Sequence, residues 1–258
     1  MKRANLIEYF GLENDDASLI TWSHAVNSRK MLDETLASDL MFIESDILIA
    51  DDGETSQPIM AHPPNLTSDL TFNEWLSSCL PSVKGLKLDF KSPKALTPCL
   101  NRIKAVEKKV SILYFCLFCF FSWNFLNKWS FFPDLEKFSK KSWVKKNWPK
   151  ILFEGVVWRG RLNADVFQGA SSPASKFDPL EFVKNCTDAL PRAILSLGWT
   201  TTANAKPLAY SWQNIYDAMA KIGRVRSLID GEITFPVRAS WTVRSINRLL
   251  LLNKYTKK

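Results

Sequence analysis

The chain has 258 residues, 46% of them hydrophobic and 12% aromatic, so it can bury the core of one large domain or two small ones, and general disorder is excluded. Its net charge of +8 is concentrated: residues 128–150 hold seven lysines against Asp134 and Glu136, a net +5, which leaves +3 for everything else. A broad basic face for nucleic acid is therefore not expected.

The N-terminal "MKRANLIEYFGLENDDAS" has no long apolar stretch of the signal-peptide kind, which predicts a cytoplasmic chain. From Ser18, "SLITWSHAV" reads as a strand ending at His24, and "SRKMLDETLAS" has helical spacing. "MFIESDILIA" is the next strand, "DDGE" a turn, and "PIMAHPP" a short extended piece closed by two prolines. "TFNEWLSSCL" begins with Thr71 and has Glu74 three residues on, a capping-box signature for a helix. "GLKLDFK" from Gly85 is a third strand, followed by a helix. After an interruption, "VVWRGRLNADV" from Val156, "AILSLGWTT" from Ala193 and "EITFPVRAS" from Glu232 read as strands. "DPLEFVKNCTDAL" and "SWQNIYDAMAKIG" lie between them as helices. Alternating strand and helix predicts an α/β fold with a parallel sheet, either a (β/α) barrel or a doubly wound sheet. The absence of a G-x-G-x-x-G or a P-loop weakens the nucleotide-binding form of the second.

The interruption begins with "SILYFCLFCFFSWNFL" from Ser111, apolar all round and followed by the lysine-rich segment. Three readings stand for it: a buried helix or irregular insertion, a membrane-associating segment over residues 111–126 with a basic flank, or a stretch foreign to the fold. Cys116 and Cys119 form a C-x-x-C inside it. Without a second pair or a nearby histidine, this motif is not read as a metal or redox site, and the five cysteines form no legible disulfide framework.

Chemistry concentrates on the strands. In "FIESDILI" Glu44 and Asp46 are two apart, so they share a face. Burying two carboxylates together is costly unless positive charge sits with them. Asp89 in "LKLDFK" adds a third acid, with Lys87 and Lys91 on its face, and "LNADV" adds Asn163 and Asp165, again two apart. The two histidines, His24 and His62, fall at the end of the first strand and just beyond the carboxylate strand. Acids, bases and lysines at the ends of successive parallel strands suit a barrel active site. Two explanations of the acids remain open. Glu44, Asp46 and Asp89 converge on a divalent cation such as Mg²⁺ or Ca²⁺, with His24 and His62 as acid and base; or the barrel interior is polar and Lys87 and Lys91 neutralise the acids.

Seven separated motifs, "TWSHAVNS", "FIESDILI", "PIMAHPP" with "SDLTFNEWL", "GLKLDFKS", "NADV", "LSLGWTT" and "TFPVRA", together resemble the menorin family. The resemblance covers residues 6–108 and 156 to the end. The family is in turn similar to the phospholipase-C-like phosphodiesterases, which include glycerophosphodiesterases and spider sphingomyelinase D. The resemblance implies a TIM-type (β/α) barrel with His24 and His62 catalytic, and Glu44, Asp46 and Asp89 on a metal. It implies that Lys91 contacts substrate phosphate, with Lys87, Asn163, Asp165, Trp199 and Arg238 as further substrate-binding positions. A metal-dependent phosphodiesterase acting on a phosphodiester or phospholipid follows. The alternative is a non-enzymatic interaction protein with protein partners in tissue or neuronal patterning or maintenance, and the family implies the extracellular space. Two departures set the expected organisation: residues 1–110 as the first part of the barrel, 111–154 as a non-family insertion, and 155–258 as a shortened second part, giving about six of eight strands.

Overall fold

The computed structural model describes residues 10, 12, 17–50, 56–82, 84–107, 160–191, 193–202, 208–230 and 233–256. The expected insertion at 111–154 lies outside these residues, and with it the 111–126 apolar stretch, Cys116 and Cys119. So do the turn at 51–54, the strand start at 156–159 and Glu232. The chain divides into two compact units, Met1–Asn101 with Arg159–Lys258, and Arg102–Trp158. All the described strands and all the site residues belong to the first. Among the described residues no helix is long and apolar enough to cross a membrane.

The elements run β1 (Trp22–Ser23), α1 (Arg29–Ala37), β2 (Phe42–Ile49), β3 (Pro58–Met60), α2 (Phe72–Cys79) and β4 (Gly85–Phe90). Helical residues 93–107 form α3. Then come β5 (Gly160–Phe167), α4 (Pro179–Ala189), β6 (Ile194–Trp199), α5 (Trp212–Val225), β7 (Ile233–Thr234), α6 (Ala239–Thr242) and α7 (Ile246–Thr256). Helix starts follow local chemistry. Thr71 and Glu74 close the expected capping box on α2, Asp178 caps α4 by accepting from the Glu181 amide at 2.9 Å, and Ser211 with Asn214 caps α5 reciprocally. The first and last strands are shorter than the sequence pattern suggests. Residues Ala17–Leu19 form a 3-10 turn rather than strand, and Ala25 at φ 55° turns the chain immediately beyond β1. Pro236, which has no amide hydrogen to donate, follows β7 within two residues.

Six strands are parallel in the order β1-β2-β4-β5-β6-β7, and β3 pairs antiparallel on β2. The order rises monotonically along the chain. A doubly wound sheet reverses direction at a switch point; a barrel does not. Curvature is visible in one cavity of about 270 Å³, which is lined by Trp22, Glu44, Lys87, Arg161, Ser196 and Thr234, one residue from each parallel strand. Laid flat at the usual strand spacing, β1 and β5, three steps apart in that order, would stand roughly 14 Å apart. The Arg161 guanidinium instead stands 5.5 Å from the Trp22 ring. Among the described residues the fold is thus an α/β, incomplete (β/α) barrel, with six parallel strands and one antiparallel appendage.

The outer sheet residues Ile43, Ile47, Leu88, Leu162, Val166 and Leu197 are all buried, the expected state of a parallel sheet covered on that face by helices. At the inner base, Phe42 stacks on Trp22 at 4.2 Å and closes directly over Gly85. A Cβ added there would stand 2.3 Å from the Phe42 ring. Gly85→Ala should therefore lower the unfolding free energy by about 1–3 kcal/mol, read by urea denaturation. The cost should fall in a Phe42→Leu background, because the two changes share one space.

Candidate functional site

Glu44 and Asp46 point to the inside of the barrel and are 2% exposed each. The segment after β1 holds both. The Ala25 amide donates to Glu44 Oε2 at 2.8 Å, the Val26 amide to the Glu44 carbonyl at 2.9 Å, and Ser45 Oγ to the Val26 carbonyl at 2.8 Å. Asn27 pairs with Asp46 twice, its Nδ2 donating to Oδ2 at 2.8 Å and its Oδ1 accepting from the Asp46 amide at 2.9 Å. Ala25 reaches this position at a φ of 55°, a left-handed conformation that costs a non-glycine residue on the order of 1 kcal/mol. The sequence reading did not single out Asn27, although it lies inside the "TWSHAVNS" motif.

From β4 and just beyond it come the counter-charges. Lys87 Nζ stands 3.4 Å from Glu44 Oε1. Lys91 Nζ bridges two acids, 3.2 Å from Asp46 Oδ1 and 2.8 Å from Asp89 Oδ2. Burial alone would lower the Lys91 pKa, but Asp89 and then Asp46 outweigh it and hold the ammonium above the usual lysine value. Asn163 on β5 donates from Nδ2 to Asp89 Oδ1 at 2.8 Å, while its own Oδ1 is buried with no hydrogen-bond partner. Oxygens of Glu44, Asp46 and Asp89 all lie within 4.8 Å of one another. Two oxygens on opposite sides of one hard cation stand roughly 4–5 Å apart, so the spacing and the all-oxygen donor set suit Mg²⁺ or Ca²⁺.

His24 Nε2 lies 3.5 Å from Glu44 Oε2, with its side chain 81% exposed at the cavity edge. His62 follows the antiparallel β3, not a strand of the parallel path. Its neighbour Ala61 donates its amide to the Asp46 carbonyl at 3.0 Å, but the exposed His62 ring turns to the Pro63 carbonyl, 2.6 Å from Nδ1. A carbonyl only accepts, so Nδ1 carries the proton there. His62 is not among the residues lining the 270 Å³ cavity. Arg161 is, and sequence reasoning overlooked it although "RLNAD" puts it on the face of Asn163 and Asp165. Trp199 is 3% exposed and packs on Phe167, Tyr210 and Phe235 at 5.3, 5.0 and 5.8 Å, a core position in this structure. Arg238 is exposed, with its guanidinium 5.7 Å from the Trp241 ring.

Asp165 sits two residues beyond Asn163 on β5, and its Oδ1 occupies the space where a side chain on Gly198 would project, 2.3 Å from an added Cβ. Burial pushes its pKa up to about 6, with Asp89 adding to the rise and Lys91, Lys87 and Arg238 opposing it.

The family model of the menorin N-terminal domain matches residues 16–114 and 148–258, a span that contains every strand and every site residue described above. The chain belongs to the menorin family. Among the menorin-type relatives, human protein FAM151B is 30% identical over 258 residues, covering 97% of this chain and 75% of that protein. Residues 115–147 fall outside the family match. A solved structure from Silicibacter pomeroyi DSS-3, described as a glycerophosphoryl diester phosphodiesterase, is 11% identical and covers 90% of this chain and 93% of its own. Its TM-score of 0.32 adds nothing to the strand order, on which the barrel assignment rests.

The Asp165 shift has a sign that can be checked. A folded pKa near 6 against the ordinary aspartate value of 3.8 means that the folded state holds the proton more tightly. The contribution is favourable at low pH and is lost as pH rises through 6. Asp165→Asn, which cannot ionise, should raise the Tm at pH 7.5 in the presence of a chelator. The gain should shrink steadily as the pH is lowered toward 4.

Proposed function

We propose that this menorin-family chain binds a hard divalent cation, Mg²⁺ or Ca²⁺, on Glu44, Asp46 and Asp89, and that the adjoining cavity takes a phosphodiester, a phospholipid headgroup included. The observation that carries the reading is the approach of three buried carboxylates within 4.8 Å on the inner face of the barrel. Lys87 and Lys91 bring two positive charges to these three acids, and Asp165 adds further negative character nearby. A divalent cation supplies the missing positive charge, as buried carboxylates require.

When bound, such a cation neutralises charge on phosphate oxygens. The chain's own residues have separate tasks. His24 stands at the cavity edge with Nε2 3.5 Å from Glu44 Oε2, where its ring can take a proton from an attacking oxygen. His62 carries its proton on Nδ1 toward Pro63, so its Nε2 is the atom that exchanges a proton with a leaving oxygen, once a substrate brings that oxygen within reach. Lys87 and Arg161 line the cavity and give it a cationic wall for the diester.

One observation favours the second reading, a non-enzymatic binding module. Each carboxylate of the cluster already has donors in this structure, from Lys87, Lys91, Ala25, Asn27 and Asn163, so the polar interior is largely satisfied by itself. Calorimetric titration of Mg²⁺ and Ca²⁺ into the wild type and Asp46→Ala, paired with hydrolysis of bis-p-nitrophenyl phosphate and a lysophospholipid, separates the two. The expected result is saturable binding lost in Asp46→Ala, and turnover that falls about 10²–10⁴-fold in His24→Ala. Absence of turnover of either diester, with or without cation binding, would support the module. Equal heats from both proteins would remove the cation reading.

A further inference from the structure

The 270 Å³ cavity offers a ligand an uneven set of hydrogen-bonding groups. Lys87 and Arg161 in its lining bring donors and no acceptor. Glu44 is the acid of the lining, and its oxygens are already committed, Oε1 to Lys87 at 3.4 Å and Oε2 to the Ala25 amide at 2.8 Å. Ser196 and Thr234, paired in register on β6 and β7, both line the cavity. Thr234 Oγ1 donates to the Leu195 carbonyl at 3.3 Å and keeps its lone pairs. Ser196 is 3% exposed, and its hydroxyl forms no hydrogen bond among the described residues. A buried hydroxyl that faces a cavity without a partner has both a donor and an acceptor to offer a ligand.

We propose that the phosphodiester bound here carries a ring-sized polyol, a sugar or cyclitol, as one of its alcohols, and that Ser196 and Thr234 select it over an ammonium headgroup. The inference rests on the reading of the cavity as a phosphodiester site. Alcohol hydroxyls both accept and donate, so they satisfy the two cationic donors and the two lining hydroxyls together. A primary ammonium brings donors only, and a trimethylammonium brings neither. Each also sets a positive charge beside Lys87 and Arg161. Aromatic faces are the usual seat of a quaternary ammonium, but the Arg161 guanidinium already stands 5.5 Å from the Trp22 ring centre and 5.8 Å from that of Phe42. A second cation against these rings would come up beside the first. The volume lies just below the roughly 300–1,000 Å³ of drug-sized pockets, which suits one ring and leaves no room for an acyl chain. Trp22, Phe235 and Pro236 give the C–H face of that ring an apolar wall.

Two p-nitrophenyl phosphodiesters that differ only in the second alcohol, myo-inositol against choline, test this by calorimetric titration into the full chain with Mg²⁺ or Ca²⁺ present. The inositol ester should bind about tenfold tighter or more, because a site built to hydrogen-bond hydroxyls penalises a ligand that lacks them. Ser196→Ala and Thr234→Val, with folding checked by circular dichroism, should each cut that ratio by about threefold or more, through weaker binding of the inositol ester alone. A residue with a merely structural role would weaken both esters together and leave the ratio where it was. A choline ester bound as tightly as the inositol ester, or a ratio unchanged in both variants, would overturn the proposal. Should Ser196→Ala not fold, the ratio in Thr234→Val decides alone. Failure of both esters to bind the wild type would be a different result, the loss of the phosphodiester reading itself and of this inference with it.

Discussion

Four carboxylates, those of Glu44, Asp46, Asp89 and Asp165, share the inside of one curled sheet, and their repulsion has to be offset before the surrounding structure can close. Two unit charges 4 Å apart repel by about 4 kcal/mol at an effective dielectric of 20, so an uncompensated cluster would consume much of a domain's stability. The compensation is local and covalently tethered. Lys87 and Lys91 flank Asp89 at two-residue spacing, and Lys91 reaches across to Asp46 on the neighbouring strand while it bonds Asp89. The raised pKa of Asp165 comes first from burial, with Asp89 adding repulsion that Lys91, Lys87 and Arg238 only partly offset.

Much of the nearby backbone serves to hold these acids still. The segment from His24 to Asn27 is laced to β2 through the Glu44 carboxylate, the Ser45 hydroxyl and the paired amide of Asn27. Ala25 accepts a left-handed conformation to bring its amide onto Glu44, and strain of this kind persists only where surrounding contacts over-determine it. On the other side, β3 folds back antiparallel and ties Ala61 to the Asp46 carbonyl. Gly198 leaves its side-chain volume to Asp165. A site set on strands and buttressed this way is held more precisely than one on loops alone, which is what either cation binding or phosphodiester chemistry demands.

The two explanations of the buried acids are linked rather than opposed. The lysine pairs describe how the cluster is satisfied without a cation. A cation entering the cluster has to share Asp46 and Asp89 with the Lys91 ammonium. Lys91 thus stabilises the interior through the same oxygens that the proposed cation would use.

Local patterns were legible without the fold. The two-residue period placed Glu44 with Asp46, and Lys87, Asp89 and Lys91 together, because alternation is a property of any strand. Thr71 with Glu74 announced the start of α2, because a capping box is closed within four residues. The alternation of strands and helices, together with the motifs, was enough for the α/β barrel and the family. What the sequence by itself determined, then, were contacts made between near neighbours along the chain. Only the tertiary structure decided that β1 and β7 are two residues long, that Asn27 grips Asp46, that Lys91 bridges two strands, that Trp199 is core, and that His62 sits on an antiparallel hairpin facing Pro63. Each of these depends on strand register and on how tightly the sheet curls, and both are set by packing between residues tens of positions apart, for which no short-range period carries a signal.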